Sequence, residues 1–212
     1  MHSTSSINTI LNQETFFWMD EANKLRLYPS LERSIIAKVR TLPGTLQQCH
    51  SNMIRDINPG QHACDGIITK DQSIPLMCYT ADCIPIFGQN AHSRFILHAG
   101  WRGLCDGIID QLIAHPNCQG TYDITIGPHI SQSHFQVKDD FIQAWQHEPL
   151  FDSFYANEHF DLFGYASTKL KPITRTLTLS SKCTFSNHDV ASFRRDGMKA
   201  INLMVHWPLH GS

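Results

Sequence analysis

Short strand-like runs and amphipathic helical stretches are mixed along the sequence without strict βαβ alternation. That pattern predicts an α+β fold of packed layers rather than a doubly wound sheet. Two observations carry the expectation. Leu104, Ile108, Ile109, Leu112 and Ile113 form one apolar face at helical spacing, and Ile84–Phe87 and Phe95–His98 are compact apolar runs of strand length. With 212 residues, 42% of them hydrophobic, the chain can bury a sizeable core. No repeat, low-complexity tract or linker divides it, so residues 1–212 are expected to form one domain.

From the N-terminus, a short helix is expected around Glu14–Leu25, and Ser34–Leu42 alternates like a half-buried strand ended by Pro43-Gly44. Asp65–Thr69 and Ile74–Thr80 read as strands flanking the turn-prone Lys70-Asp71-Gln72-Ser73. Ile84–Phe87 and Phe95–His98 continue the sheet, divided by the polar residues 89–94. Gly103–His115 reads as a helix stopped by Pro116, and Tyr122–Ile126 as a strand running into Gly127-Pro128. Lys138–His147 and Asp161–Leu170 read as helices, each followed closely by a proline. Thr174–Leu179 and Ala200–Val205 are expected as the last strands.

A net charge of -2 leaves no basic footprint for nucleic acid, and no run approaches the roughly 18 apolar residues of a membrane span. A small-molecule partner is the expectation. The first residues lack a basic segment followed by an apolar core, so no signal peptide is read there. Seven cysteines, an odd number with no CxxC pair, fit reduced thiols and a cytoplasmic location. Thirteen histidines beside them make a metal site worth seeking.

Three potential ligands fall where a strand-like run ends: His50 of Cys49-His50, Cys83 after Thr80-Ala81-Asp82, and His98. One thiolate and two imidazoles would hold zinc and leave a fourth position open, the arrangement of a catalytic site, with bound water as a nucleophile. The alternative without metal makes Cys83 a thiolate nucleophile and His98 its base; that reading has no need of His50. A third possibility is that the cysteine is simply a small hydrophobe and the histidines are merely hydrogen-bonded. Asp82 would hold a ligand histidine in one tautomer or cap a turn.

Arg102 lies at the start of the helix after His98, where free N–H groups favour an anion; its other reading is an ion pair with Asp106. Of Arg194 and Arg195, one is expected to pair with Asp196 and the other to bind an anionic ligand. His129, at the exit of the 122–126 strand, is a further candidate for substrate binding.

TADCIPI (80–86), HAGWRG (98–103), IGPHIS (126–131), CT (183–184) and SFRRDG (192–197) resemble, in order and spacing, the motifs of the YfiH-like family, also called the polyphenol oxidase or laccase-domain family. The resemblance covers roughly residues 45–205. It implies an α/β/β/α layered sandwich, of the type found in the catalytic domain of cytotoxic necrotizing factor. It also implies a metal, zinc rather than copper, on His50, Cys83 and His98. The implied activity is phosphorolysis of adenosine, inosine and methylthioadenosine, with adenosine deamination, and Arg102 with Arg194 or Arg195 would bind phosphate. The older laccase label fits the chemistry poorly, because multicopper oxidation needs paired HxH motifs and the sequence has none. Three features depart from the family pattern. No GGVS or SLNLG segment occurs in residues 1–47, Ser51 replaces the glycine of Q-x-H-G, and His129 occupies the variable position of GPxI. Besides the zinc enzyme, the resemblance leaves open a metal-free hydrolase or deamidase and a family member that has lost catalysis.

Overall fold

The computed structural model describes residues 7, 9–11, 18–20, 25–31, 33–57, 63–197 and 199–207. In chain order the strands are β1 (Trp18–Asp20), β2 (Leu25–Tyr28), β3 (Ile54–Arg55), β4 (Gly66–Thr69), β5 (Leu76–Thr80) and β6 (Ile84–Gln89). They continue as β7 (Arg94–Ala99), β8 (Tyr122–Ile126), β9 (Tyr155–Ala156), β10 (His159–Phe160), β11 (Thr174–Leu179) and β12 (Asn202–His206). The helices are α1 (Arg33–Val39), α2 (Trp101–Cys105), α3 (Ile108–Ala114), α4 (Asp139–Trp145), α5 (Phe151–Phe154), α6 (Leu162–Leu170) and α7 (Phe193–Asp196).

A six-stranded mixed sheet has the order β11-β8-β6-β7-β4-β3, and a four-stranded sheet the order β1-β2-β12-β5. Side chains alternate across a strand, and here the alternation sorts them into layers. On β7, Phe95, Leu97 and Ala99 join the core beneath the helices, while Ile96 faces the second sheet. On β5, Leu76 and Cys78 face the first sheet, while Met77 and Tyr79 face outward toward α1. Met204 of β12 likewise points inward, and Leu203 and Val205 point outward. The result is the α+β arrangement with two packed sheets and helices outside them.

The strands expected from residue 65 to 126 all form, within about two residues of their expected bounds. Three expectations fail. Ser34–Leu42 is not a strand: Arg33–Val39 is the helix α1, because Ile35, Ile36 and Val39 share one helical face and pack on Tyr79 and Leu203. Packing overrides the β preference of β-branched residues. Of the helix expected around Glu14–Leu25, residues 18–20 form β1 and Leu25 opens β2, while 14–17 and 21–24 lie outside the described residues. Gly103–His115 is two helices, α2 and α3, because Gly107 takes a left-handed φ of 81° at the break.

Antiparallel register brings the chemistry to one end of the large sheet. The β6–β7 pairing sets Pro85 opposite His98, so Cys83, just ahead of β6, sits beside the end of β7. The β4–β7 pairing sets Gly66 opposite Leu97, so Asp65 lies alongside His98, whose N–H donates to the Asp65 carbonyl (2.8 Å). Among the described residues, no helix is long and apolar enough to cross a membrane.

Candidate functional site

His50, Cys83 and His98 meet at that sheet end, with their ligand atoms all within 4.8 Å of one another. The two imidazoles meet edge to face, with ring centroids 4.9 Å apart. His98 is buried, Cys83 half-buried and His50 exposed toward the cleft. Two neighbouring backbone positions are strained: His50 has φ 61° and Asp82 φ 88°, both unusual for residues with a Cβ. Gly100 leaves the space the group needs. A Cβ added there would lie 3.1 Å from both Cys83 Sγ and His50 Cδ2. Its φ is an ordinary -74°, so close approach explains this glycine and turn geometry does not.

Asp65 organises the donors. Its side chain is fully buried, and Oδ1 lies 2.8 Å from His98 Nδ1. A carboxylate accepts only, so Nδ1 carries the proton and Nε2 is the nitrogen left for a metal. The same carboxylate accepts the N–H groups of Cys49 (3.1 Å), His50 (3.1 Å) and Ser51 (2.7 Å), and the Ser51 hydroxyl (2.9 Å). Ser51, where the family motif has glycine, thus has a bonded role. Gln48 ties the same loop to the outer edge of β5, donating to Tyr79 O (2.7 Å) and accepting from Tyr79 N (2.6 Å).

The charges reinforce each other. Burial alone would raise the Cys83 thiol, but the charge of His98 and hydrogen bonds from His50 and His98 bring it down to about 6. Burial alone would lower His98, yet the Cys83 charge and the Asp65 hydrogen bond lift it to about 9. Burial would raise Asp65, but the bonds from His98, Ser51 and Cys49 hold it well below the usual carboxylate range. A thiolate and two imidazoles, one with its tautomer set by a carboxylate, are a donor set that suits zinc.

The triad lies at one side of a cleft of about 380 Å³, also lined by Gln48, Tyr79, Trp101, Arg102, Phe135, Phe193 and Arg194. That volume falls in the usual range for small-molecule sites. Arg102 is exposed and its guanidinium lies 4.0 Å above the Trp101 ring; among the described residues it makes no ion pair, with Asp106 or otherwise. The two C-terminal arginines separate. Arg194 lines the cleft, lies over Phe135 (5.5 Å) and donates to Gln136 O (2.9 Å).

Two expected site residues do not line that cleft, and a third has other partners than expected. Arg195 turns away: it donates to the carbonyls of Thr184, Phe185, Asn187 and Val190 and pairs with Asp196, so its donors are spent within the fold. His129 is buried elsewhere, its Nδ1 donating to Gly127 O (2.8 Å). Asp82 lines the cleft, but its carboxylate accepts from Thr184 Oγ1 (2.6 Å) and Arg194 N (2.7 Å), and Asp65 is the carboxylate that orients His98. Sequence reasoning missed Asp65, whose only signal is an acid set directly ahead of an apolar strand. It also missed Phe193, which is 54% exposed at the cleft mouth, a position that packing does not require.

The family model for multi-copper polyphenol oxidoreductase laccase matches residues 29–204. A purine nucleoside phosphorylase of Rickettsia conorii is 29% identical over 59% of this chain and 58% of its own length. A purine nucleoside phosphorylase of Haemophilus influenzae is 26% identical over 82% of this chain and 79% of its own. The chain spans about half the length of the rickettsial relatives it matches, 58% of one and 45% of another. Among solved structures, YfiH of Bacillus licheniformis superposes with a TM-score of 0.74 at 18% identity, covering 93% of this chain and 98% of that one. A Neisseria meningitidis protein superposes with a TM-score of 0.69 at 23% identity, covering 92% and 98%. These likenesses carry the fold.

Proposed function

Because the chain belongs to the multi-copper polyphenol oxidoreductase laccase family, and the similar curated proteins bear the name purine nucleoside phosphorylase, we propose that it is a zinc enzyme of purine nucleosides. Its reaction is phosphorolysis of adenosine, inosine or methylthioadenosine, with deamination of adenosine as a second activity. The observation that supports this most is the meeting of His50, Cys83 and His98 beside a cleft with two arginines on its wall. Zinc on these three ligands would supply a Lewis acid and a bound water of lowered pKa.

The chain's own residues do the rest. Asp65 holds the His98 proton on Nδ1 and keeps the His50 loop in place. Trp101, Phe135 and Phe193 give the cleft aromatic walls on which a purine can stack. Arg102 and Arg194 hold phosphate as its oxygen bonds to the ribose C1′. The glycosidic bond breaks as that bond forms, and the purine leaves after taking a proton at a ring nitrogen. Charge develops on phosphate and base together, so fixed cations there stabilise the transition state. Copper fits less well: multicopper oxidation needs several coppers, and His50, Cys83 and His98 are the one such ligand group among the described residues.

One observation favours a second reading. The Cys83 thiol at about 6 beside the His98 imidazole at about 9 forms a thiolate–imidazolium pair, as a metal-free Cys/His hydrolase requires. Elemental analysis of protein purified without added metal separates the two: about one zinc per chain, lost in His50→Ala, supports the zinc enzyme. Base release from the three nucleosides with and without phosphate, and ammonia release from adenosine, then test the reaction. A zinc-loaded protein that releases neither base nor ammonia would overturn the nucleoside assignment.

A further inference from the structure

A second group of reactive side chains lies outside the triad's cleft. The parallel strands β8 and β11 end together at Ile126 and Leu179. The chain leaves them in two loops that join again through a bridge between His129 and Cys183, where Thr184 N donates to His129 O (3.0 Å). Between these loops is a cavity of about 210 Å³, lined by His129, Ser131, Asp161, Lys182 and Cys183 among others.

Cys183 is half-buried in that wall, and its sulfur is surrounded by donors. Ser131 donates to Sγ from both its N–H (3.3 Å) and its hydroxyl (3.2 Å), and His134 Nδ1 is 3.6 Å away. The His134 ring is stacked on Phe185 at 4.7 Å, which fixes its place. Burial alone would raise the thiol, but the bonds from Ser131 and Ser186 bring it down to about 6. Burial pushes Cys64, Cys78, Cys105 and Cys118 up instead, which makes them poor nucleophiles.

His129 supplies an independent sign of a ligand. Its side chain is 7% exposed and lines the cavity. Nδ1 donates to Gly127 O, and burial pushes the pKa below its ordinary value, so the neutral ring keeps Nε2 as an acceptor. Among the described residues no donor meets that nitrogen. His129 lines the cavity, so whatever enters it can bring that nitrogen a donor.

We propose that this cavity is a thiol-modification site, in which Cys183 is oxidised by a small hydroperoxide to a sulfenic acid. The thiolate sulfur bonds to the terminal peroxide oxygen as the O–O bond breaks. The sulfur is oxidised by two electrons, and the peroxide is reduced to water or an alcohol after the leaving oxygen takes a proton from solvent. His129 Nε2 accepts the hydrogen bond of the peroxide O–H, and later that of the sulfenic acid. The cavity volume suits hydrogen peroxide or a short alkyl hydroperoxide. A thiol reductant reverses the change. This site does not depend on the nucleoside reading of the other cleft.

The test uses the full chain as purified, treated with equimolar hydrogen peroxide in the presence of dimedone, and peptide mass spectrometry of all seven cysteines. The expected result is an adduct on Cys183 at least roughly tenfold above that on Cys105 or Cys118, because its larger thiolate fraction outweighs the lower intrinsic nucleophilicity of a more acidic thiol. Ser131→Ala, which removes one donor from Sγ, lowers labelling at Cys183 several-fold, and Cys183→Ser removes the main adduct without raising another. Even labelling across the cysteines, or labelling at Cys183 no higher than at Cys105 or Cys118, overturns the proposal in the unmodified chain, independently of whether either variant folds. An unchanged rate in folded Ser131→Ala overturns it as well.

Discussion

Asp65 Oδ1 lies 2.8 Å from His98 Nδ1, and the same carboxylate accepts the backbone N–H of His50 at 3.1 Å. One buried acid therefore aims one imidazole directly and the other through its loop. Asp65→Asn keeps the size but replaces an acceptor oxygen by a donor among groups that all donate. Metal affinity is expected to fall about 10- to 100-fold, the usual effect of losing such an outer partner. Competition with a chromophoric zinc chelator measures it, and an affinity within twofold of the parent would remove Asp65 from this positioning role.

Gly100→Ala probes the space around the triad. The added methyl would lie 3.1 Å from Cys83 Sγ and from His50 Cδ2, tighter than carbon normally sits. Overpacking costs about 1–3 kcal/mol, and the exposed His50 is the part most free to move away. The variant is expected to fold with a slightly lower melting temperature and to bind zinc substantially more weakly. Full zinc occupancy after dialysis against a mild chelator would show that the methyl is accommodated.

What could be read in advance follows a physical division. Cys83 and His98 were legible because strand ends and motif spacing are local facts, and the register of β6 on β7 then brings them together; His50 was legible from the motif alone, since the 34–42 run ahead of it is the helix α1 and not a strand. Asp65 was not legible, because its meaning depends on the non-local pairing of β4 with β7. The α1 segment misled because Ile35, Ile36 and Val39 satisfy a helical face as well as a loose alternation, and only the sheet beneath decides between them. Arg194 and Arg195 look alike in the sequence, and which of them is spent inside the fold depends on the carbonyl cage formed by residues 184–190. Sequence neighbours look alike until the turn that separates them is formed.

His129 sets a pH dependence. Burial pushes its pKa below the ordinary 6.5, with the Gly127 carbonyl and the Asp161 charge offsetting part of the shift. The unfolded chain then binds the proton more readily than the folded one. This contribution to stability is fully present above 6.5 and is lost as the pH falls through the depressed folded value. Urea unfolding of the parent and His129→Gln across that range should give curves whose difference shrinks as the pH is lowered. A constant difference would mean that His129 titrates alike in both states.

Arg194 and Arg195 provide a paired comparison, because adjacent residues of the same type have different surroundings. Arg195 donates to four backbone carbonyls and to Asp196, so truncation strands buried acceptors. Arg195→Ala is expected to cost about 2–3 kcal/mol, lowering the melting temperature by roughly 5–10 °C. Arg194 is exposed, with one bond to the Gln136 carbonyl and a place on the cleft wall. Arg194→Ala is expected to leave the melting temperature within about 2 °C and to raise KM for phosphate about 10- to 100-fold, since a charge-assisted bond contributes about 1.5–3 kcal/mol. Arg194→Lys restores the charge without the planar fork and should recover part of that loss. Thermal melts and phosphate-dependent base release on the three variants test this directly: if Arg195→Ala melts like the parent, or Arg194→Ala leaves phosphate KM unchanged, the division of labour between these two neighbours is wrong.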